Sequence, residues 1–163
     1  MNNRLPTWLL LVVIAAPLLW SGCGSSGAAR VGVTRANLGT APRTVLISET
    51  VEALTSRYGY LMLRTVVDTE DMLFETDWKR ESAFADEREQ GYTHARTKIT
   101  VRARPRNRST SGAQNLSVTF LAETQALPFG NEVWVAVEPS EEREDYIDQI
   151  SSHLRRAYQT TLR

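Results

Sequence analysis

The sequence predicts an α+β fold: a two-layer sandwich in which an antiparallel sheet of four to five strands carries two helices on one face. Three observations predict it. Residues 93–104 alternate strictly, with Ala95, Thr97, Ile99, Val101 and Ala103 on one side and Arg96, Lys98, Thr100, Arg102 and Arg104 on the other, the period of a half-buried strand. Ile47, Val51, Leu54 and Tyr58, and again Ile147, Ile150, Leu154 and Tyr158, recur at steps of three and four, the period of a helix. The helical patterns flank the strands in the chain, and one sheet face is oily while the other is polar, so both helices belong on the oily face.

Length and composition bound the rest. The 163 residues make one ordinary domain. Basic and acidic side chains number 19 each, so net charge is zero and general attraction to nucleic acid is not expected. A single cysteine excludes an intramolecular disulfide and a Cys-rich zinc module, and two histidines, His94 and His153, leave little for a metal site. No metal and no cofactor is expected.

Residues 1–22 read as an address. Arg4 gives a short positive region, Trp8 to Trp20 is a run of 13 residues without a polar side chain, and Ser21-Gly22-Cys23 follows. The run is shorter than the roughly 18–20 residues that cross a bilayer and suits the apolar core of a signal peptide. The small pair before the sole cysteine resembles the bacterial lipobox, with Trp20 where that motif favours leucine. The resemblance implies lipidation of Cys23, cleavage just before it, and anchoring by acyl chains, each buried methylene contributing about 0.8 kcal/mol. The alternatives are an uncleaved anchor over residues 5–22 and a free thiol at Cys23. Gly24 follows the cysteine where enteric inner-membrane lipoproteins carry Asp. The expected localisation is the cell envelope, at an outer membrane facing the periplasm if the host has one.

Residues 23–43 hold the cysteine and a glycine-rich stretch without apolar period, expected to be a flexible tether; the alternative is that Val31 and Val33 add an edge strand. The α+β domain is expected over 44–163. Its first helix has Thr44 as cap and Gly59 as stop. Tyr60 to Val67 is a branched, apolar strand, and a turn at Asp68-Thr69-Glu70-Asp71 leads into Met72 to Lys79. There Met72, Phe74 and Trp78 are read as the oily face against Glu75, Asp77 and Lys79. Residues 80–92 are charged and read as a loop or short helix. After the 93–104 strand and a polar stretch, Leu116, Val118, Phe120 and Ala122 mark the inward side of 115–124. Pro128-Phe129-Gly130-Asn131 is a turn, and 133–137 a short strand. Ser140 caps the last helix, with Glu141, Glu142 and Glu144 at its positive end and Arg155 and Arg156 near its negative end.

The element order resembles the helix-grip domain of BamC-like envelope lipoproteins. Shared are the lipobox cysteine, the glycine-rich stretch, a first helix ending in Ser56-Arg57-Tyr58-Gly59-Tyr60, a hairpin, long alternating strands and a C-terminal helix. The resemblance implies a non-catalytic scaffold or assembly accessory that binds an envelope protein.

The candidate binding residues are Arg96, Lys98, Arg102 and Arg104 on the strand 93–104, with Phe129 and Trp134 around the turn. Arginine suits bidentate contact with phosphate or carboxylate groups. The competing reading is that Glu75, Asp77 and Glu123 on neighbouring strands pair with these cations, and that Trp134 closes one end of the core. Neither histidine sits in a catalytic triad or metal-ligand pattern, so no catalytic residue is assigned and no enzyme is expected. The expected function is a membrane-anchored scaffold acting through protein binding; the alternative is a carrier of lipid or a small anionic ligand.

Overall fold

The computed structural model describes residues 31–68, 71–105 and 115–160. The expected signal peptide, Cys23, residues 24–30, and Arg106 and Arg108 of the polar stretch after the 93–104 strand lie outside the described residues.

A long hairpin forms the spine of the sheet. Its arms are β5 (Tyr92–Arg104) and β6 (Asn115–Pro128), antiparallel with Ala95 opposite Ala126, Ile99 opposite Ala122 and Val101 opposite Phe120. The alternation read from the sequence holds: Ala95, Thr97, Ile99, Val101 and Ala103 are fully buried, as are Leu116, Val118, Phe120 and Ala122. On one side of the spine β5 pairs with β3 (Met72–Thr76), and β3 in turn with β2 (Met62–Val67), which forms one sheet edge. On the other, β6 pairs with β1 (Val33–Pro42). Two short strands extend these flanks, β4 (Lys79–Ser82) on β5 and β7 (Val135–Ala136) on β6. Among the described residues the sheet thus has seven strands, five on its main path.

β1 departs from the expected tether boundary, because residues 33–42 are a strand at the sheet edge, the alternative that Val33 offered. Its apolar signal is weak because Ala36 and Ala41 face the core where β6 supplies the bulk, and because a bulge breaks its period. The register slips between Asn37 and Gly39, placing Leu38 as an extra residue in the core at zero exposure. Upstream, Gly32 has φ +76°, and a Cβ there would stand 2.6 Å from the Thr124 carbonyl oxygen. The Gly32 carbonyl accepts the Thr124 N–H at 2.7 Å, so only glycine fits this approach.

The first helix begins without its expected threonine cap. Pro42, extended at φ −63° and ψ 145°, turns the chain directly into α1 (Arg43–Glu52), which continues through a π turn at Ala53–Arg57. The buried stripe is Leu46, Thr50, Ala53 and Leu54, while Ile47, Val51 and Tyr58 are half-buried at its flank. Gly59 stops the helix at φ +69° as expected. The last helix, α3 (Glu141–Thr160), buries Ile147, Ile150, Leu154 and Tyr158 completely, each aliphatic contributing about 1.5–3 kcal/mol. Both helices share one core with the inward strand residues, including Phe74 and Phe120. Tyr158 donates to or accepts from Thr50 at 2.7 Å, joining α3 to α1.

The charged segment 80–92 resolves into β4 and the short helix α2 (Ala85–Glu89). The expected strand 133–137 shrinks to Val135–Ala136, and the turn before it is present, with Gly130 at φ +75° and Asn131 N–H on Pro128. No helix among the described residues is long and apolar enough to cross a membrane.

Candidate functional site

The sheet face opposite the helices carries the basic ladder. Lys98 donates to Glu75 at 3.1 Å and lies 3.4 Å from Glu123. Burial works against its charge, but the Glu75 and Glu123 carboxylates hold the ammonium above its ordinary value. The cross-strand pairing expected from Glu75 and Glu123 is therefore present at this rung. Arg102 and Arg104 find a partner the sequence reading did not name. Both converge on Asp71, Arg102 as a bidentate pair (Nη2–Oδ2 2.6 Å, Nε–Oδ1 3.2 Å) and Arg104 more loosely (Nη2–Oδ2 3.3 Å). One carboxylate serves two guanidiniums.

Arg96 is held differently. Its guanidinium lies 4.7 Å from the Trp78 ring centre and 4.5 Å from that of Trp134, and it donates twice to the Gln125 side-chain oxygen, at 2.6 and 2.9 Å. Burial lowers its affinity for the proton, with the Asp77 charge opposing. Arg80 adds a further cation 5.6 Å from the Trp134 ring centre. Arg96 and Trp134, separate candidates in the sequence, therefore form one cluster, and Trp134 stands half-buried on the outer face rather than closing the core.

Trp78 completes this cluster against expectation, because it does not share the oily face with Met72 and Phe74. Three residues, Asp77 to Lys79, advance the chain while β5 advances two, from Ile99 (which donates to the Thr76 hydroxyl) to Thr97 opposite Lys79. One extra residue exchanges the faces. Trp78 turns outward to Arg96, while Lys79 and Glu81 turn inward. Asp77 supports the kink by accepting the Trp78 N–H at 2.7 Å, a local bond that a short carboxylate favours and the one signal in the sequence that marks it.

Towards the far end of the same face, Arg35, Leu73, Thr100, Arg102, Thr119 and Leu121 line an open hollow of about 720 Å³, with Arg104 and Glu123 also contributing. Its lining mixes the apolar Leu73, Leu121 and Pro105 with arginines and hydroxyls. Phe129, at the opposite end, is 82% exposed at the tip of its turn.

A second cluster of charge lies beneath α2. The Arg143 guanidinium, fully buried, makes two 2.9 Å bonds to Glu87 and a third to Glu81, and packs 4.1 Å from the Phe84 ring centre. Burial works against this charge; the Glu87 and Glu81 carboxylates more than offset it. Glu81 also binds Lys79 at 2.8 Å, and Lys79 donates to the Tyr58 carbonyl and the Tyr146 hydroxyl. Its four charges balance within the cluster, which suits a structural clasp. The sequence reading of this helix start names only the acids Glu141, Glu142 and Glu144 and so misses Arg143, a lone cation among them.

The histidines stand apart. His94 lies beside Thr93, and His153 lines a crevice of about 310 Å³ with Glu49, Glu52 and Arg57. No group of three or more His, Cys, Asp or Glu side chains among the described residues could hold a metal ion. Comparison with protein-family models, curated proteins and solved structures finds no match to this chain.

Proposed function

We propose that the chain is a lipid-anchored lipoprotein of the cell envelope, a non-catalytic scaffold or assembly accessory that binds another protein on the helix-free face of its sheet. The observation that carries this reading is the open hollow lined by Arg35, Arg102, Leu73 and Leu121. Leucines set among arginines have the make-up of a protein interface, and the hollow is too open to enclose a small ligand. The fully buried Phe74, Phe120, Tyr60 and Tyr158 fill the space between sheet and helices, which supports a scaffold over a carrier that keeps its cargo inside. The anchor in this reading is Cys23 after removal of residues 1–22, in an outer membrane where the host has one.

A second reading, a binder of small anionic groups, draws support from Arg102 and Arg104 sharing the single carboxylate of Asp71. A photo-crosslinking amino acid placed at Thr119 in the full-length chain separates the two. A discrete protein adduct in native membranes, absent when the crosslinker replaces Glu144 on α3, supports the scaffold. An adduct to lipid or glycan alone supports the anion binder, and no adduct from Thr119 overturns both.

A further inference from the structure

We propose that the end of the domain built by the β6–β7 turn is a membrane-contacting surface, which seats on the anionic headgroup layer of the bilayer. The reach argument within it rests on the anchored reading above; the surface itself does not.

Exposed large apolar side chains gather at two places among the described residues. Leu61, Leu63 and Val67 lie on or beside the edge strand β2, whereas Phe129 (82% exposed), Val133 (70%) and Val135 belong to the turn and β7. Val31, also exposed, joins the second group, since the neighbouring Gly32 lies against the Val137 and Thr124 backbones. Next to that group are Trp134 and the two guanidiniums of Arg96 and Arg80. Exposed Phe and Val beside tryptophan and arginine are what an interfacial surface uses, the apolar groups entering the acyl boundary and the cations meeting phosphates.

The cations here are held in a manner that leaves charge to offer. Lys98, Arg102, Arg104 and Arg143 are bonded to carboxylates. Arg96 is bonded to a neutral amide and stacked between two indoles, and Arg80 packs over one of them. Glu132 and Glu138 are the exposed acids of the same segment, so they oppose anionic lipid, and neutralising Glu132 strengthens the contact. Chain length points the same way. Seven residues lie between Cys23 and Val31, eight Cα steps with a reach of at most about 29 Å, and at Val31 the chain enters the fold beside β7, not beside β2. In this pose the hollow near Arg102, about 20 Å further along β5 at strand rise, stays clear of the bilayer.

The test uses full-length protein in vesicles of phosphatidylethanolamine and phosphatidylglycerol with brominated acyl chains, which quench tryptophan on contact. The signal counted is the quenching lost on Trp134→Phe, and the mass at residue 23 is read on the same preparation. The expected result is quenching of at least about a third of the Trp134 emission. It falls to the level of unbrominated vesicles in the Phe129→Ser/Val133→Ser variant, whose exposed positions leave the thermal midpoint unchanged, and rises in Glu132→Gln. Lipidated Cys23 without Trp134 quenching overturns the surface and leaves the anchor standing. Unmodified Cys23 with quenching overturns the anchor and leaves the surface standing. Unmodified Cys23 without quenching overturns both.

Discussion

Arg143, in the first turn of α3, and Glu87, on α2, form a bidentate pair with both N···O distances at 2.9 Å, the guanidinium fully buried and the carboxylate 3% exposed. The pair ties the start of the last helix to a five-residue helix too short to be stable alone. Its neighbours reinforce the tie: the Glu142 N–H donates to Asp86 at 2.9 Å, and Glu142 accepts the Ala85 N–H. Each helix start is thus capped by a carboxylate from the other, where the dipoles favour negative charge.

Removing one partner of this pair strands the other. Arg143→Ala leaves Glu87 buried without its cation and is expected to cost about 3–5 kcal/mol. Replacing both, as Arg143→Met with Glu87→Met, removes the stranded charge, and is expected to recover most of that loss. Urea unfolding of the two variants measures the difference; equal losses would show that the pair acts by shape alone.

Glycine at 32 is expected to be irreplaceable where glycine at 39 is not. An added Cβ at position 32 meets the Thr124 and Val137 carbonyl oxygens at 2.6 and 2.9 Å, whereas at position 39, also at positive φ, it meets nothing within 4 Å. Gly39→Ala costs only the strained backbone, about 1 kcal/mol. Gly32→Ala adds displacement of backbone, and is expected to cost upwards of 2 kcal/mol. Hydrogen exchange at the amides of β1 reads it directly, with faster exchange near Val33 in Gly32→Ala alone.

The parts of the fold that follow an unbroken period were legible in the sequence. β5, β6 and α3 carry strict patterns, and the residues those patterns name are buried, though α3 also buries Arg143 and Ser151, which its pattern does not name. Where one residue is inserted, the period misleads: at Leu38 a strand was concealed, and at Asp77-Trp78 the faces were exchanged. The candidate site suffered from the same cause. Its β5 rungs were readable, but the pairing of Trp78 with Arg96 depends on a bulge, and the capture of Arg102 by Asp71 depends on how a turn closes. Arg143 escaped notice because burial of a charge is decided by partners far along the chain, 56 and 62 residues away.

Asp71 governs how much charge the hollow offers. Its partners Arg102 and Arg104 are 44% and 56% exposed, so Asp71→Asn is expected to change stability by less than about 1 kcal/mol. Releasing two guanidiniums from one carboxylate is expected to strengthen binding of inorganic phosphate several-fold, read as shifts of the Arg102 and Arg104 Nε–H resonances on titration. Unchanged binding in Asp71→Asn would mean that the two arginines do not present their charge to the hollow.

His153 makes stability depend on pH in a defined direction. Burial, and then the charges of Arg57 and Arg156, hold its imidazole below the ordinary histidine value. Arg57 lies 3.4 Å from Nε2, which as acceptor leaves the proton on Nδ1, a buried atom with no partner. A histidine lowered in the folded state binds its proton more readily when unfolded, so stability is whole above the ordinary value of about 6.5 and declines as pH falls through it. The decline ends below the folded value, where both states are charged. His153→Gln is expected to lose less stability than the parent between pH 7.5 and 5, and Arg57→Gln to raise the His153 midpoint in an NMR titration. Parallel pH profiles for parent and His153→Gln would place the acid sensitivity elsewhere in the molecule.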